Sequence, residues 1–280
     1  MSTTRIGTMS IIACMVISTL AAADTIPRAG ENIDRTSRSV RVPENLQVGS
    51  IDTTSGRVVL EAGSQARGID TSSGGVELGE RAVSGDIDTS SGSVRLRSGA
   101  RSGEIDTGSG DVDLADGSFS GAIDTGSGNV EADQRVTIDG EIDTGSGDVE
   151  VGRDSIVAGD IDTGSGDIEL VGTRVNGKVD TGSGDITVND SAIERDLITN
   201  SGTVRIEGRS VINGDLIVRE STCWGLCWNS DDPAEVSIGA GAEVRGKIRF
   251  EHKGTLRVHY DARIGDVEGV EVERFGAERG

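Results

Sequence analysis

Ile105-Asp106-Thr107-Gly108-Ser109-Gly110-Asp111-Val112-Asp113-Leu114 is followed by Ile123-Asp124-Thr125-Gly126-Ser127-Gly128-Asn129-Val130-Glu131-Ala132, 18 residues further on. The string Ile-Asp-Thr-x-Ser-Gly also begins at Ile51, Ile69, Ile87, Ile142 and Ile161, and a Val-led copy begins at Val179. The steps are 18 residues, with 19 for the two that end at Ile142 and Ile161. Degenerate copies extend the array to Ile33-Asp34 on one side and to Leu197-Ile198-Thr199-Asn200-Ser201-Gly202 on the other. A fixed period of this length is the mark of a solenoid.

Within each copy a second run alternates apolar and polar residues, as in Val112-Asp113-Leu114, Val149-Glu150-Val151 and Ile168-Glu169-Leu170. Alternation is the period of a half-buried strand. A third, weaker apolar position follows at Phe119, Ile138, Ile156, Val175 and Ile193, and Gly and Ser separate the runs as turn residues. One copy therefore reads as three short strands and three corners. Such a unit cannot bury its own apolar face, but stacked copies form a continuous core. The predicted fold is all-β, a parallel β-solenoid of about 12 triangular coils, rising roughly 4.8 Å per coil to a rod of about 55–60 Å. A left-handed hexapeptide helix spaces its apolar residues by six. Ile105 and Val112 are seven apart, so a right-handed solenoid is expected.

Composition agrees with a narrow core. The 280 residues include 42 Gly and three Pro, and aromatics make up 2%. Inward Ile and Val each contribute about 1.5–3 kcal/mol of burial, so large rings are not required. The net charge of −21 argues against nucleic acid as a partner, since binding it needs basic surface. Stacking turns each position into a column, which places Asp52, Asp70, Asp88, Asp106, Asp124, Asp143, Asp162 and Asp180 one above another. Neighbouring carboxylates at that spacing repel by roughly 0.9 kcal/mol in water. They must face solvent, accept hydrogen bonds or collect cations. Asp111, Asp148, Asp167 and Asp185 form a second column. No cofactor is expected. Calcium is the one ion the columns suggest, with Asp106, Asp124, Asp143, Asp162 and Asp180 as candidate ligands, although no dedicated binding loop is visible.

The amino terminus reads as an export signal, residues 1–23. Arg5 supplies the charge, Ile11 to Leu20 the apolar stretch and Ala21-Ala22-Ala23 the cleavage site. Lipidation at Cys14 is the alternative, disfavoured because apolar residues continue past it. No other stretch is long and apolar enough to span a bilayer. The expected location is therefore exported: periplasmic, outer-surface or secreted.

Several strings resemble catalytic or ligand motifs. Asp-Thr-Gly is the turn of aspartic proteases, but those enzymes need two close carboxylates sharing a proton. Here the tripeptide recurs at five places as a corner of the repeat. The nonapeptide calcium repeats of secreted toxins place Asp two residues after the second Gly, where this chain has Val112. A column of Thr such as Thr107 would suit an ice-binding face, yet Thr lies two residues after an inward Ile and is expected to point inward or to pack at the corner. His252 and His259 lie among the last apolar alternations, outside any metal-ligand pattern, and read as ordinary strand residues.

The repeat is broken once, by Cys223-Trp224-Gly225-Leu226-Cys227-Trp228-Asn229-Ser230-Asp231-Asp232-Pro233. Two cysteines in an exported chain suggest a disulfide, Cys223 to Cys227. Their spacing fits neither a thiol oxidoreductase nor a zinc site. Trp224 and Trp228, the only Trp residues, are candidate contacts for a glycan or protein, because Trp is favoured in binding hot spots. The competing reading is that they cap the open end of the solenoid.

Ser120-Gly121-Ala122-Ile123-Asp124 and Ser165-Gly166-Asp167-Ile168 resemble the Ser-Gly-Asp-Ile/Val repeats of a bacterial adhesin family of β-strand-repeat envelope proteins, a domain of unknown function. The resemblance covers about residues 33–220 and the coils at 235–272. It implies a β-solenoid and an envelope or surface location, and it carries no catalytic residues. Bactofilins are similar in coil length, but they are cytoplasmic, which conflicts with the signal.

The predicted organisation is thus a signal at 1–23, a lead-in at 24–32, repeats at 33–220, a Cys/Trp loop at 221–234, further coils at 235–272 and a tail at 273–280. The expected role is a non-enzymatic, adhesin-like or structural protein with an envelope, surface or extracellular partner, and with end-to-end self-association among its options. The alternative is a cation- or polysaccharide-binding module. A polysaccharide-active enzyme ranks third, because the one long loop has no Lys, Arg or His between Cys223 and Ala234.

Overall fold

The computed structural model describes residues 27–220 and 233–277. The described residues form short strands and corners with no helix. They wind as a parallel β-solenoid of 13 coils, one more than the repeat count suggests, because a final coil closes on Val267–Glu268 and Val272–Phe275. Three sheets run along the rod. The first holds the Ile-Asp-Thr runs, from Ile33–Arg35 to Val267–Glu268. The second holds the Val-x-Leu runs, from Val40–Val42 to Val272–Phe275. The third contains eight two-residue strands, from Phe119–Ser120 to Arg263–Ile264, extended toward the amino end by single bridges through Gln47, Gln65, Val83 and Arg101.

Each strand pairs in register with its counterpart one coil on, so that Ile123 lies between Ile105 and Ile142, and Asp124 between Asp106 and Asp143. Identical residues stack because the repeat length equals the coil length. The inward residues of all three sheets form one core, with Ile105, Ile123, Ile142 and Ile161 fully buried. Between the fifth and sixth coils the core exchanges volume from one face to another. Ser102 and Ser120 of the third side face coils that carry Leu96 and Leu114, and the next coil exchanges these for Ala132 and Ile138. Volume-conserving exchanges of this kind are the ones a packed core tolerates best.

The third apolar position corrects the sequence pattern by one residue. Ile138, Val175 and Ile193 do point inward, but Phe119 and Ile156 point out, with Ser120 and Val157 taking the inward places. Two-residue strands do not hold a period strictly enough for the apolar pattern to fix register. Ile156 is 41% exposed, and Phe119 is partly covered by the Arg101 guanidinium, 4.1 Å from its ring centre. The corner before this sheet turns through a left-handed residue in most coils. Gly63, Gly99, Gly117 and Gly172 supply it freely, whereas Asn45, Arg81, Arg135, Asp154 and Asp190 adopt φ of 50–59° at the same place. Non-glycine side chains there are strained.

Candidate functional site

The first sheet and its following corner carry the most distinctive chemistry of the repeat. In Ile105-Asp106-Thr107-Gly108-Ser109-Gly110-Asp111, alternation sends Ile105 and Thr107 into the core and Asp106 out. The Thr column is buried throughout, from Thr53 to Thr199. Thr144 shows its use. Its Oγ1 accepts the Gly147 N–H at 2.9 Å and donates to the Gly128 carbonyl of the preceding coil at 3.2 Å. Thr107, Thr125, Thr163 and Thr181 repeat both bonds. One hydroxyl thus closes its own corner and ties it to the coil before.

The corner must be glycine. A Cβ on Gly147 would overlap the Gly128 carbonyl oxygen, and one on Gly166 would overlap that of Gly147. The second acidic column sits just beyond. Asp111 Oδ1 accepts the Asn129 N–H at 3.1 Å, and Asn129 Oδ1 accepts that of Asp148 at 2.9 Å. Asp148 serves Asp167 at 2.9 Å, Asp167 serves Asp185 and Asp185 serves Thr203, the last two at 2.7 Å. These carboxylates therefore bond backbone N–H groups that the corner leaves without a strand partner. A similar, broken ladder precedes the first sheet, where Asp86, Asp160, Asp196 and Asp215 each accept the N–H one coil on.

The first acidic column is different. Asp34, Asp52, Asp70, Asp88, Asp106, Asp124, Asp143, Asp162 and Asp180 stack outward in register. Asp106, Asp124 and Asp143 are exposed. Partial burial, together with neighbouring carboxylates, holds Asp88 and Asp124 above the usual carboxylate range, and Glu150 on the second sheet is raised for the same reasons, with Glu169 and Glu131 beside it. Between Ser102 and Leu170 stand eighteen Asp and Glu and only two Arg, Arg135 and Arg153. Most of the net charge is therefore concentrated in the middle of the rod.

Cations relieve the column at its far end. Lys178 Nζ lies 2.6 Å from Asp162 and 3.4 Å from Asp180, and Arg219 reaches Asp180 at 3.2 Å. Asp162 and Asp180, proposed from sequence as cation ligands, thus have ammonium or guanidinium partners. Among the described residues no group of three or more His, Cys, Asp or Glu is arranged to hold a metal ion. Toward the amino end, the second sheet instead pairs its charges. Arg57 and Arg97 meet Glu77 at 2.5 and 2.7 Å, Arg95 pairs with Asp113, and the Arg97 hydrogen bond holds the Glu77 carboxyl below its usual range.

Cys223, Cys227, Trp224 and Trp228 lie outside the described residues, as do the signal and Cys14. The ends of the intervening segment are fixed. Leu216–Val218 belongs to the first sheet and Ala234–Ile238 to the second, so the segment leaves the eleventh coil at the corner where other coils have Gly-Ser-Gly. The Thr position there becomes Val218, then Phe250 in the next coil. A hydroxyl has no corner glycine to serve at this point. Of the histidines, His259 ends a strand and meets Phe275 edge-on at 5.3 Å. His252 is in a corner, its Nε2 2.8 Å from the Asn200 carbonyl oxygen, rather than in a strand as the alternation suggested.

These features define a parallel β-solenoid whose recurring residues are spent largely on corners and ladders. Residues 104–213, the fifth to tenth coils, match the family model of the Toastrack DUF4097 domain, a β-solenoid domain of unknown function. No curated protein and no solved structure matches the chain.

Proposed function

We propose that the chain is an exported, non-enzymatic scaffold of the cell envelope or its exterior, adhesin-like in that a stiff rod holds an acidic surface and one corner segment out toward a partner. The observation that carries this reading is the use of the repeat's reactive-looking side chains. The Thr hydroxyls close corners, and the Asp111–Asp185 column bonds backbone N–H groups. A hydroxyl nucleophile needs its proton and lone pair free for substrate, and the buried Thr hydroxyls are engaged as both acceptor and donor in the lattice, while each Asp of that column commits one oxygen to a neighbouring coil. The outward Asp column is periodic rather than convergent, which suits a charged surface better than a catalytic pair. The match to a domain of unknown function is consistent with a structural role.

The carboxylates also favour a second reading, a surface for multivalent cations or cationic polymers, because the middle of the rod carries so little positive charge. Fractionation of cells producing the tagged full-length chain, with Cys14→Ala in parallel, tests the main reading. Recovery in the envelope or medium is expected with both chains. Retention of the wild type in the cytoplasm would overturn it.

A further inference from the structure

The outward row of the third sheet differs in chemistry from the other two. From Gln47 to Val211 it carries no Asp or Glu, and its only charges are Arg101 and Arg174, before Glu243 and Arg263 follow. Over the same coils the first sheet presents its Asp row, and the second presents Asp113, Glu131, Glu150 and Glu169. Ile156, 41% exposed, and the half-buried Val83, Phe119 and Val211 are the large apolar members of the third row. Beside Ile156 is a shallow depression of about 330 Å³, lined in part by Ile156, Arg174 and Ala192. A net charge of −21 holds copies of the chain apart. The third side is where two rods can meet without opposing rows of carboxylates.

We propose that two copies of this chain pair through their third sides, antiparallel, about a two-fold axis between the levels of Ile156 and Arg174. A two-fold contact has to be self-complementary, and in this register the row is. Coils at equal steps either side of the axis face one another. Ile156 then faces the partner's Arg174, beside the depression that can seat it. Thr137 faces the partner's Ala192, Phe119 the partner's Val211, and Arg101 the partner's Glu243. On the flank two residues before the row, Arg135 faces the partner's Asp190. Each contact occurs twice. One like-charged pair, Asp139 with the partner's Glu194, falls on the flank two residues after the row, and Arg174 lies 2.6 Å from Glu194 to offset it. An axis at Thr137 would instead set Arg101 against the partner's Arg174. The overlap from Val83 to Arg263 is about 45 Å long at roughly 4.8 Å per coil, and with a face about 13 Å wide it covers roughly 600 Å² per copy. That total, roughly 1,200 Å², is the lower limit of a specific interface. The pairing leaves the Asp row of the first sheet in solvent.

The inference is independent of where the protein resides, so its test does not depend on the scaffold reading. Sedimentation of the full chain over a concentration series measures it. The wild type is expected to reach the mass of two chains. Arg101→Glu and Glu243→Arg each bring like charges together across the axis, and each should weaken pairing by about tenfold or more. The two substitutions combined exchange the charges and should restore pairing to the wild-type level. Ile156→Asp should also separate the copies, with the β-sheet circular dichroism retained. A wild type that stays a single chain at its highest soluble concentration would overturn the proposal. So would single variants that pair as the wild type does, or a combined variant that pairs no better than the singles. Should Ile156→Asp fail to fold, the exchange at the surface residues Arg101 and Glu243 decides.

Discussion

Thr144→Val removes one hydroxyl and keeps the shape of the side chain. Thr144 is fully buried, and its Oγ1 is the acceptor for the Gly147 N–H and a donor to the Gly128 carbonyl. The valine leaves a buried donor without its acceptor, at about 1–3 kcal/mol, and removes a second bond of about 0.5–1.5 kcal/mol. A net loss of about 2–3 kcal/mol is expected. Thr144→Ser keeps the hydroxyl and gives up one buried methyl, about 0.8 kcal/mol. The predicted order in urea unfolding, followed by far-UV circular dichroism, is wild type, then Ser, then Val. If the column were there for β-branched packing alone, Ser would be the more damaging. A Val variant as stable as wild type, or a Ser variant less stable than Val, would refute the corner-stitch argument. Exchange of the Gly147 amide with deuterium should accelerate in the Val variant and not in the Ser variant.

The neighbouring stitch shares a glycine, since Thr125 accepts the Gly128 N–H while Thr144 donates to the Gly128 carbonyl. Thr125→Val with Thr144→Val should therefore be non-additive by at least about 0.5 kcal/mol, whereas Thr53→Val with Thr181→Val should add; a double-mutant cycle in urea measures both. Arg81 is exposed at φ 55°, so Arg81→Gly relieves left-handed strain at some cost in unfolded-chain entropy, for a net gain of up to about 1 kcal/mol; a clear fall in melting temperature would contradict this. The carboxyl of Asp124 titrates higher in the folded chain than unfolded, so its ionisation lowers stability as pH rises through that range. Asp124→Asn removes a partly buried charge and its repulsion with Asp106 and Asp143, so it should stabilise the rod near pH 7 by less than about 1 kcal/mol in all at low salt, the carboxyl being exposed to solvent screening, an advantage that added salt reduces and that vanishes once the carboxylates are protonated. Equal gains at acid and neutral pH would show the effect is not ionisation. Stacked carboxylates from separate coils lack a calcium loop, so calcium and magnesium at equal concentration are expected to raise the melting temperature alike, and a selective calcium shift would point to a specific site.

The period made the architecture readable. A coil of 18 or 19 residues stacks like on like, so Ile105, Asp106 and Thr107 each announced a column, and alternation alone assigned the first to the core and the second to solvent. What the columns do was less legible. Asp106 and Asp111 look equivalent on the page, but one stands in a strand and points out, while the other stands at a corner and accepts a backbone N–H one coil away. That difference depends on where strand pairing stops, which composition does not encode. The third side departs from the apolar pattern at Phe119 and Ile156 because two residues are too few to establish a period, and a single-residue shift exchanges inside for outside. The left-handed corner gave no signal because Gly, Asn, Asp and Arg all occupy it.

The departures from the repeat carry more functional information than the repeat itself. Where Asp-Thr-x-Ser-Gly recurs, each side chain is held to its place by the coil above and the coil below, and substitution at Thr or Gly disturbs two interfaces together. Freedom to vary lies on the outward rows, where the middle of the rod has accumulated carboxylates despite their mutual repulsion. The stacked hydrogen bonds and buried Ile columns offset that repulsion, which amounts to roughly 1 kcal/mol per neighbouring pair before screening, against about 1.5–3 kcal/mol for each inward side chain. A surface can therefore be strongly acidic without unwinding the solenoid. The same margin permits an interruption at the eleventh coil: the flanking strands Leu216–Val218 and Ala234–Ile238 remain in register with both neighbours. The outer row changes from Asp to Ile at Ile198 and Ile217, in the two coils next to that interruption, and the strands there keep their register all the same.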